Sequence, residues 1–286
     1  MKTILKIALL IGLMFNFSAG VVVFAVEDTE PFTVLSWRTG NFVDSEVSYY
    51  YDLFKGTFES TGATFIETTG EFLTLEDITG ISLLALYFPQ RDITTEEIAV
   101  VTEYINRGGV VLLYGENNWV YEVNQRLQAL ASALGVSFTI TDNNAYEGTM
   151  ATIDNGGVNI EHPVGENVTK IGYNYIPIVE YDEPATIIVA DTAGNPVILE
   201  QPLGNGSLML FVDVNVFDFN SENSDIHILF SNITKYSQTQ QDIVEENNND
   251  DVEEELPQTA DTRAYFGWML LLGLGLLSLS KDKAKS

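Results

Sequence analysis

Two apolar runs separated by one amphipathic helix constrain the fold of this chain more than any other feature. Residues 81–88 and 110–114 are apolar almost throughout, as in the strands of a parallel sheet that helices cover on both faces. Between them, Thr94 and Glu97 have the spacing of a capping box, and the helix they begin ends at the glycine pair 108–109. A strand, a helix and a strand in this order predict a right-handed crossover between parallel strands.

The same alternation extends through the first half of the chain. Residues 32–37 and 63–67 have the pattern of strands, and a helix capped by Asp44 or Ser45 lies between them. A further amphipathic helix closes at Gly135. We therefore predict an α/β fold with a doubly wound, mostly parallel sheet.

After residue 136 the pattern changes to shorter β-like runs, which are followed by a last helix that starts near Ile226. These runs lie at residues 137–141, 185–190, 197–200 and 207–214. We interpret them as a β-rich C-terminal extension of the same sheet, because no linker composition separates the two halves. The alternative is that residues 137–238 form a second small domain.

The N-terminus has the composition of a secretion signal. Lys2 and Lys6 precede an apolar stretch, and small residues stand where a signal peptidase cleaves. We predict a signal peptide at residues 1–25 and a folded body at residues 26–238.

Charge and residue usage exclude several classes of function. The formal net charge of −28 opposes binding to nucleic acid. Residues 239–255 are acidic with almost no apolar side chain, so we predict a disordered acidic linker there. The chain has no cysteine and only two histidines, which excludes a thiol nucleophile and thiolate zinc ligands. We expect no metal and no cofactor.

The C-terminus combines a short motif, an apolar span and a basic tail. The motif is Leu256, Pro257, Gln258, Thr259 and Ala260. The uncharged span at residues 264–280 would extend about 26 Å as a transmembrane helix, close to the roughly 30 Å of a bilayer core. The lysines that follow it should stay cytoplasmic.

This ending resembles the LPXTG sorting signal of Gram-positive surface proteins over residues 256–286. The resemblance implies that a sortase cleaves after Thr259 and joins it to a peptidoglycan cross-bridge, so membrane contact would end at cleavage. The family usually has glycine where Ala260 stands, which leaves the sortase class open. The alternative is a single-span membrane protein in which LPQTA occurs by chance.

The body resembles the class I glutamine amidotransferase-like superfamily, in its non-amidotransferase branch, over residues 32–236. The segments that carry the likeness are ALYFPQRDITTEEIAVVTEYINRGGVVLLYGE, EHPVGENV and ATIIVADTAGNPVILEQPLGNGSLMLFVDVNVF. The implied fold is flavodoxin-like or amidotransferase-like. In active amidotransferases a cysteine nucleophile stands in the turn that follows the strand matching residues 110–114. That turn here reads Gly-Glu-Asn-Asn, so glutaminase activity is not expected.

Ligands of open α/β sheets bind beyond the carboxyl ends of the strands, and this rule selects the candidate site. The candidate residues at that edge are Arg38, Arg91, Glu116, Asn117, Trp119 and Asp213. The two arginines indicate a place for a carboxylate or another anion. The alternative is that they pair with neighbours such as Asp44 and Asp92. Trp37 and Trp119 are candidates for a sugar-stacking platform, or else for core positions.

Two functions are compatible with this sequence. The first is a non-catalytic surface module that binds a glycan, a peptide or a neighbouring protein through the strand-end edge. The second is a wall-anchored hydrolase that acts on envelope or host glycans or peptides. Its catalytic groups would be Glu116, Asp213 or His162, since a carboxylate pair can serve glycoside hydrolysis.

Overall fold

The computed structural model describes residues 32–40, 45–68, 70–117, 121–145, 149–217 and 224–253. All of them belong to one compact unit, so residues 137–238 do not form a domain of their own. The predicted signal peptide at residues 1–25 and the sorting signal at residues 256–286 lie outside the described residues.

Eleven strands and four α-helices lie in the described part of the chain. The strands are β1 Thr33–Trp37, β2 Thr64–Glu67, β3 Leu83–Tyr87, β4 Val110–Tyr114, β5 Phe138–Ala145, β6 Thr149–Thr152, β7 Lys170–Tyr173, β8 Ile176–Tyr181, β9 Thr186–Ala190, β10 Pro196–Leu203 and β11 Gly206–Phe211. The helices are α1 Ser45–Ser60, α2 Thr95–Asn106, α3 Tyr121–Leu134 and α4 Ile226–Glu253.

Seven strands form the central sheet in the order β2-β1-β3-β4-β11-β10-β9. The first five are parallel, while β10 is antiparallel to both of its neighbours. This arrangement confirms a mixed α/β fold with a mostly parallel sheet. It also places the carboxyl ends of β1, β2, β3, β4 and β11 at one edge.

The core lies on both faces of this sheet. Every residue of β3 and β4 is buried, as their apolar sequences predict. On one face, Phe54 of α1 packs against Tyr87 and Tyr114, with ring centroids 5.3 and 4.9 Å apart. Phe230 of α4 joins the same aromatic cluster through Phe58, at 4.7 Å. Aromatic packing therefore fixes α1 and α4 over the centre of the sheet.

The second half of the chain extends the sheet only in part. β9, β10 and β11 belong to the central sheet, but β5 pairs with β8 and β6 with β7 in two separate ribbons. The sequence did not predict β6, β7 or β8. β6 and β7 have only four residues each, and Pro177 interrupts the strand pattern of β8.

The acidic segment differs from its prediction. Disorder was expected from residue 239, but α4 continues without a break to Glu253. Gln241 donates to the Ser82 carbonyl at 3.3 Å, and Gly108 lies against Val244, so the packed body passes the predicted boundary at residue 238. The physical reason is that residues 226–253 contain no glycine or proline, and a helix that has already nucleated adds residues at little cost.

Among the described helices, none combines the length and the apolar character that crossing a bilayer requires. The predicted span at residues 264–280 is not among them.

Candidate functional site

Backbone and side-chain hydrogen bonds tie the strand-end loops together at the carboxyl edge. Thr39, which follows β1, accepts from the Gln90 N–H after β3 at 2.8 Å. Arg38 N–H donates to Thr68 Oγ1 after β2 at 3.0 Å. The Gly115 N–H after β4 donates to the carbonyl of Phe211, the last residue of β11, at 2.8 Å. The structure therefore brings these loops to one edge, as the strand order requires.

A cleft of about 380 Å³ opens at this edge beside β2. Its polar lining residues are Arg38, Thr39, Glu67, Thr68, Glu71 and Arg91, and two glycines complete the wall. We call it the Arg38–Arg91 cleft. Both arginines selected from the sequence line it, whereas Glu67 and Glu71 were missed because nothing in the sequence shows which acidic residues face an arginine.

Arg91 is held by protein groups at both terminal nitrogens. Its Nη1 and Nη2 each donate to one carboxylate oxygen of Glu97, both at 2.7 Å. Nη1 also donates to the Asp92 carbonyl at 3.0 Å, and Nη2 donates to the Glu71 carbonyl at 2.6 Å. These four bonds match the four hydrogens of the two terminal nitrogens. The predicted alternative, an arginine paired within the protein, therefore describes Arg91, with Glu97 as its partner.

Glu97 links this ion pair to the start of α2. Its side chain is fully buried, and it accepts from the backbone N–H of Leu73 and of Thr94, both at 3.0 Å. Burial alone would raise the pKa of Glu97. The hydrogen bonds from Arg91 and from the two backbone groups outweigh that effect and keep its pKa below the ordinary value.

Arg38 is also paired within the protein. Its Nη1 donates to Glu67 Oε2 at 3.0 Å, and its guanidinium carbon lies 5.0 Å from the centre of the Tyr51 ring. Nη2 makes a longer contact of 3.4 Å to the Gly40 carbonyl. Both arginines therefore line one cleft, but each is already neutralised by a protein carboxylate.

The turn after β4 is the turn that the sequence resemblance matches to the nucleophile position of amidotransferases. Glu116 is 7% exposed, and its Oε1 accepts from the Asn117 N–H at 2.8 Å. The Asn124 side chain of α3 bonds both the N–H and the carbonyl of Glu116. The described turn residues 115–117 are thus fixed by their own hydrogen bonds and contain no hydroxyl or thiol.

Asp213 follows β11 and is completely buried. Its two oxygens accept from the N–H groups of Asn174 and Asn215, at 2.7 and 2.8 Å. Burial raises the pKa of Asp213 to about 7, although the two N–H bonds oppose the shift. Burial, and then the nearby carboxyl groups of Glu116 and Asp213, raise the pKa of Tyr87 well above its ordinary value. The two carboxyl groups therefore share one buried neighbour.

Among the remaining candidates, Trp37 and His162 do not contribute to a site. Trp37 is 0% exposed, so its predicted alternative as a core residue is correct and the Trp37–Trp119 sugar platform is wrong. Trp119 lies outside the described residues. His162 accepts from the Val164 N–H through Nδ1 and contacts Glu200 Oε2 through Nε2 at 2.7 Å, so neither ring nitrogen remains for a substrate.

The loop after β3 contains a strained residue that the sequence did not reveal. Phe88 has φ of 49°, an unusual value for an aromatic residue. Its carbonyl accepts from Gln90 Nε2 at 2.9 Å, and its N–H donates to the Tyr114 carbonyl at 3.3 Å. Strain of this kind tends to occur at functional sites, and here it shapes the loop that carries Arg91.

Within the described ranges, no three or more histidine, aspartate or glutamate side chains gather as a metal site would require. The carboxylates of this edge instead bond backbone N–H groups and arginines, as described above.

Comparisons with known proteins support the fold. No protein-family model and no curated protein sequence matches the chain. The mmIFT52 N-terminal domain is 14% identical at a TM-score of 0.52, with 72% of this chain and 97% of that domain covered. A ThuA-like protein from Parabacteroides merdae is 13% identical at a TM-score of 0.51, with 73% of this chain and 90% of that chain covered. A ThuA-like protein from Bacteroides uniformis is 12% identical at a TM-score of 0.50, with 72% of this chain and 91% of that chain covered.

These likenesses confirm the predicted mixed α/β fold with a mostly parallel central sheet for the described body, and this fold is consistent with an amidotransferase-like one. Sequence identities of 12–14% show a shared fold and nothing about ligand or chemistry.

Proposed function

We propose that this chain is a Gram-positive surface protein that a sortase joins to a peptidoglycan cross-bridge. Its α/β body acts there as a binding module without catalytic activity, and its ligand is a glycan, a peptide or a neighbouring protein. It carries no cofactor and takes no nucleic acid as a partner.

The absence of catalysis is supported by the turn after β4. Residues 115–117 contain no hydroxyl or thiol nucleophile, and the hydrogen bonds of Asn124 hold the backbone of the turn in place. At the same edge the Arg38–Arg91 cleft is concave and has polar side chains that can fix the orientation of a ligand. This contrast between a fixed turn and an open cleft is the observation that carries the proposal.

The location is supported by sequence alone. Residues 1–25 begin with lysines and continue as an apolar stretch, which fits secretion. Residues 256–286 contain the motif, the apolar span and the lysines in the sequence order that sorting requires. The acidic composition fits an exposed surface protein that stays soluble.

Cell fractionation tests the location. In cells that produce the protein, the wild type should appear in the fraction that a muramidase releases, and Thr259→Ala should accumulate in the membrane fraction. Gln258→Ala is the matched control, since Gln258 stands at the variable X position of LPXTG, which should tolerate the change. Equal membrane retention of all three proteins would contradict the sorting step.

One observation favours the hydrolase as a second candidate. A carboxyl group with a pKa of about 7, as at Asp213, suits acid-base catalysis near neutral pH. The burial of these carboxyl groups argues against the hydrolase, because Asp213 is completely buried and Glu116 is nearly so.

A turnover assay separates the two functions. The protein is incubated with panels of glycans and peptides, and products are measured by mass spectrometry, for wild type and for Glu116→Gln. We expect no product from either protein. Turnover that disappears in Glu116→Gln would establish the hydrolase.

A further inference from the structure

We propose that the Arg38–Arg91 cleft binds a neutral, hydroxyl-rich ligand, namely an oligosaccharide unit of a neutral polysaccharide. This inference rests on the proposed function of the body as a binding module and names the ligand class of that module.

The saturation of the Arg91 guanidinium argues against an anion. Arg91 donates all four hydrogens of its terminal nitrogens to Glu97, Asp92 and Glu71, so an incoming carboxylate would have to displace protein acceptors. Arg38 is neutralised by Glu67. The net charge of −28 further repels anionic polymers. The anion expected from the arginines alone is therefore disfavoured.

The cleft also offers no excess of negative charge to a cation, because its wall holds two guanidinium groups as well as the carboxylates of Glu67 and Glu71. What it presents to a ligand is a set of balanced polar groups. The exposed carboxylates of Glu67 and Glu71 are acceptors. The half-buried hydroxyl of Thr68, whose bond to the Arg38 carbonyl is a long 3.4 Å, can both donate and accept, whereas Thr39 is buried. A ligand that donates and accepts many hydrogen bonds without net charge satisfies this set best, and sugar hydroxyls do so.

An aromatic ring borders the cleft. Phe72 follows Glu71 directly and is 46% exposed, although the guanidinium of Arg91 lies 4.7 Å from its centre. One ring face therefore contacts Arg91, and exposed ring surface remains for the apolar C–H face of a sugar. The volume of about 380 Å³ lies at the small end of the roughly 300–1,000 Å³ range of ligand sites, which fits one or two sugar rings.

The walls of the cleft are held in place before any ligand arrives. The buried Glu97 fixes Arg91, Thr68 bonds the Arg38 backbone, and Thr39 bonds the loop after the strained Phe88. A rigid polar cleft loses little entropy on binding, which favours a weakly interacting ligand such as a sugar.

Calorimetric titration of the full-length chain in detergent tests the inference. The probes are neutral tetrasaccharides of β-1,4-glucose, α-1,4-glucose and β-1,4-mannose, an anionic polyglycerol phosphate, and basic and acidic peptides. We expect at least one neutral tetrasaccharide to bind. Glu71→Gln should weaken that binding about tenfold, as expected for one lost hydrogen bond to a charged group. Phe72→Ala should weaken it at least as much.

Leu75→Ala is the matched control, because Leu75 is 54% exposed and does not line the cleft. It should leave the affinity unchanged, and thermal unfolding should show that all three variants fold. Three outcomes would overturn the inference: no neutral tetrasaccharide binds, only an anion or a peptide binds, or sugar binding is the same in Glu71→Gln and Phe72→Ala as in wild type.

These outcomes are distinguishable from failure of the proposed function. Peptide binding without sugar binding would contradict the sugar ligand but agree with a binding module. Hydrolysis of the bound tetrasaccharide would contradict the absence of catalysis but agree with a sugar ligand.

Discussion

Glu97 connects local helix formation to the candidate site through one side chain. It closes the capping box with Thr94, bonds the Leu73 N–H and receives both terminal nitrogens of Arg91. A buried carboxylate is costly unless it is paired and fully hydrogen-bonded, and here every requirement is met. The position of Arg91 in the cleft is therefore a consequence of how α2 begins.

Glu97→Gln should destabilise the protein by about 2–3 kcal/mol, because Arg91 loses its charge partner and an amide accepts through one oxygen only. Urea unfolding at pH 7 measures the effect. Glu103→Gln is the control, since the Glu103–Arg107 pair is exposed and worth under about 0.5 kcal/mol. An equal loss of unfolding free energy in the two variants would contradict the structural role of Glu97.

Asp213 should make stability depend on pH in the direction opposite to that of a surface carboxylate. Its folded pKa of about 7 lies above the ordinary 3.8, so the folded state holds a proton that the unfolded state has released. This contribution is complete below about pH 4 and is lost as the pH rises to about 7, with a slope of at most about 1.4 kcal/mol per pH unit.

Urea unfolding between pH 4 and pH 8, for wild type and Asp213→Asn, measures this contribution as a difference. The variant cannot titrate at this position, so wild type should lose stability relative to it as the pH rises. Parallel pH profiles of the two proteins would show that Asp213 is charged in the folded state.

Among the helices, α4 differs most from its sequence pattern, since the charged residues after 238 suggest disorder. Its first turns bury Ile226, Leu229, Phe230 and Ile233, and its middle contacts the loop around Gly108. The helix α4 therefore packs against the end of α2 as well as against the sheet.

Gly108→Ala tests that contact. Gly108 has φ of 86°, and an added Cβ would lie 2.9 Å from Val244 Cγ2 and 3.0 Å from the Gln240 carbonyl oxygen. Gly135→Ala is the matched control, with φ of 80° and no atom within 4 Å of the added Cβ. We expect Gly135→Ala to cost about 1 kcal/mol from backbone strain, and Gly108→Ala at least about 1 kcal/mol more. Equal costs in thermal unfolding would mean that α4 does not pack there.

The elements with strong patterns were predictable and those with weak patterns were not. β3 and β4 are continuous apolar runs, and α2 carries a capping box, so their positions followed from the residues alone. β6 and β7 are too short to show a period, and the pairing of β5 with β8 depends on contacts between distant residues.

The candidate site was likewise predictable in part from the sequence. Parallel strands end at one edge, so the sequence predicted Arg38 and Arg91 at that edge, where both line one cleft. Which carboxylate neutralises each arginine depends on loop geometry, and Glu67 and Glu97 were therefore not foreseen as partners. The change of expected ligand from an anion to a neutral sugar follows from these two pairs.

For the molecule as a whole, an α/β fold that other proteins share carries the Arg38–Arg91 cleft proposed as the binding site. The ThuA-like proteins and the mmIFT52 domain share the architecture at 12–14% identity, so the fold itself does not select a ligand. In our account the strand-end loops give the body its binding cleft, and the two chain ends give it its location.

The C-terminal peptide of the wall-released protein tests this account most directly. Trypsin cleaves after Lys235, and the next basic residue is Arg263, so the terminal peptide begins at Tyr236. In mass spectrometry of muramidase-released wall, we predict that this peptide ends at Thr259 and carries the added mass of a cross-bridge peptide. An unmodified peptide of residues 236–263, recovered with the membrane, would contradict the account.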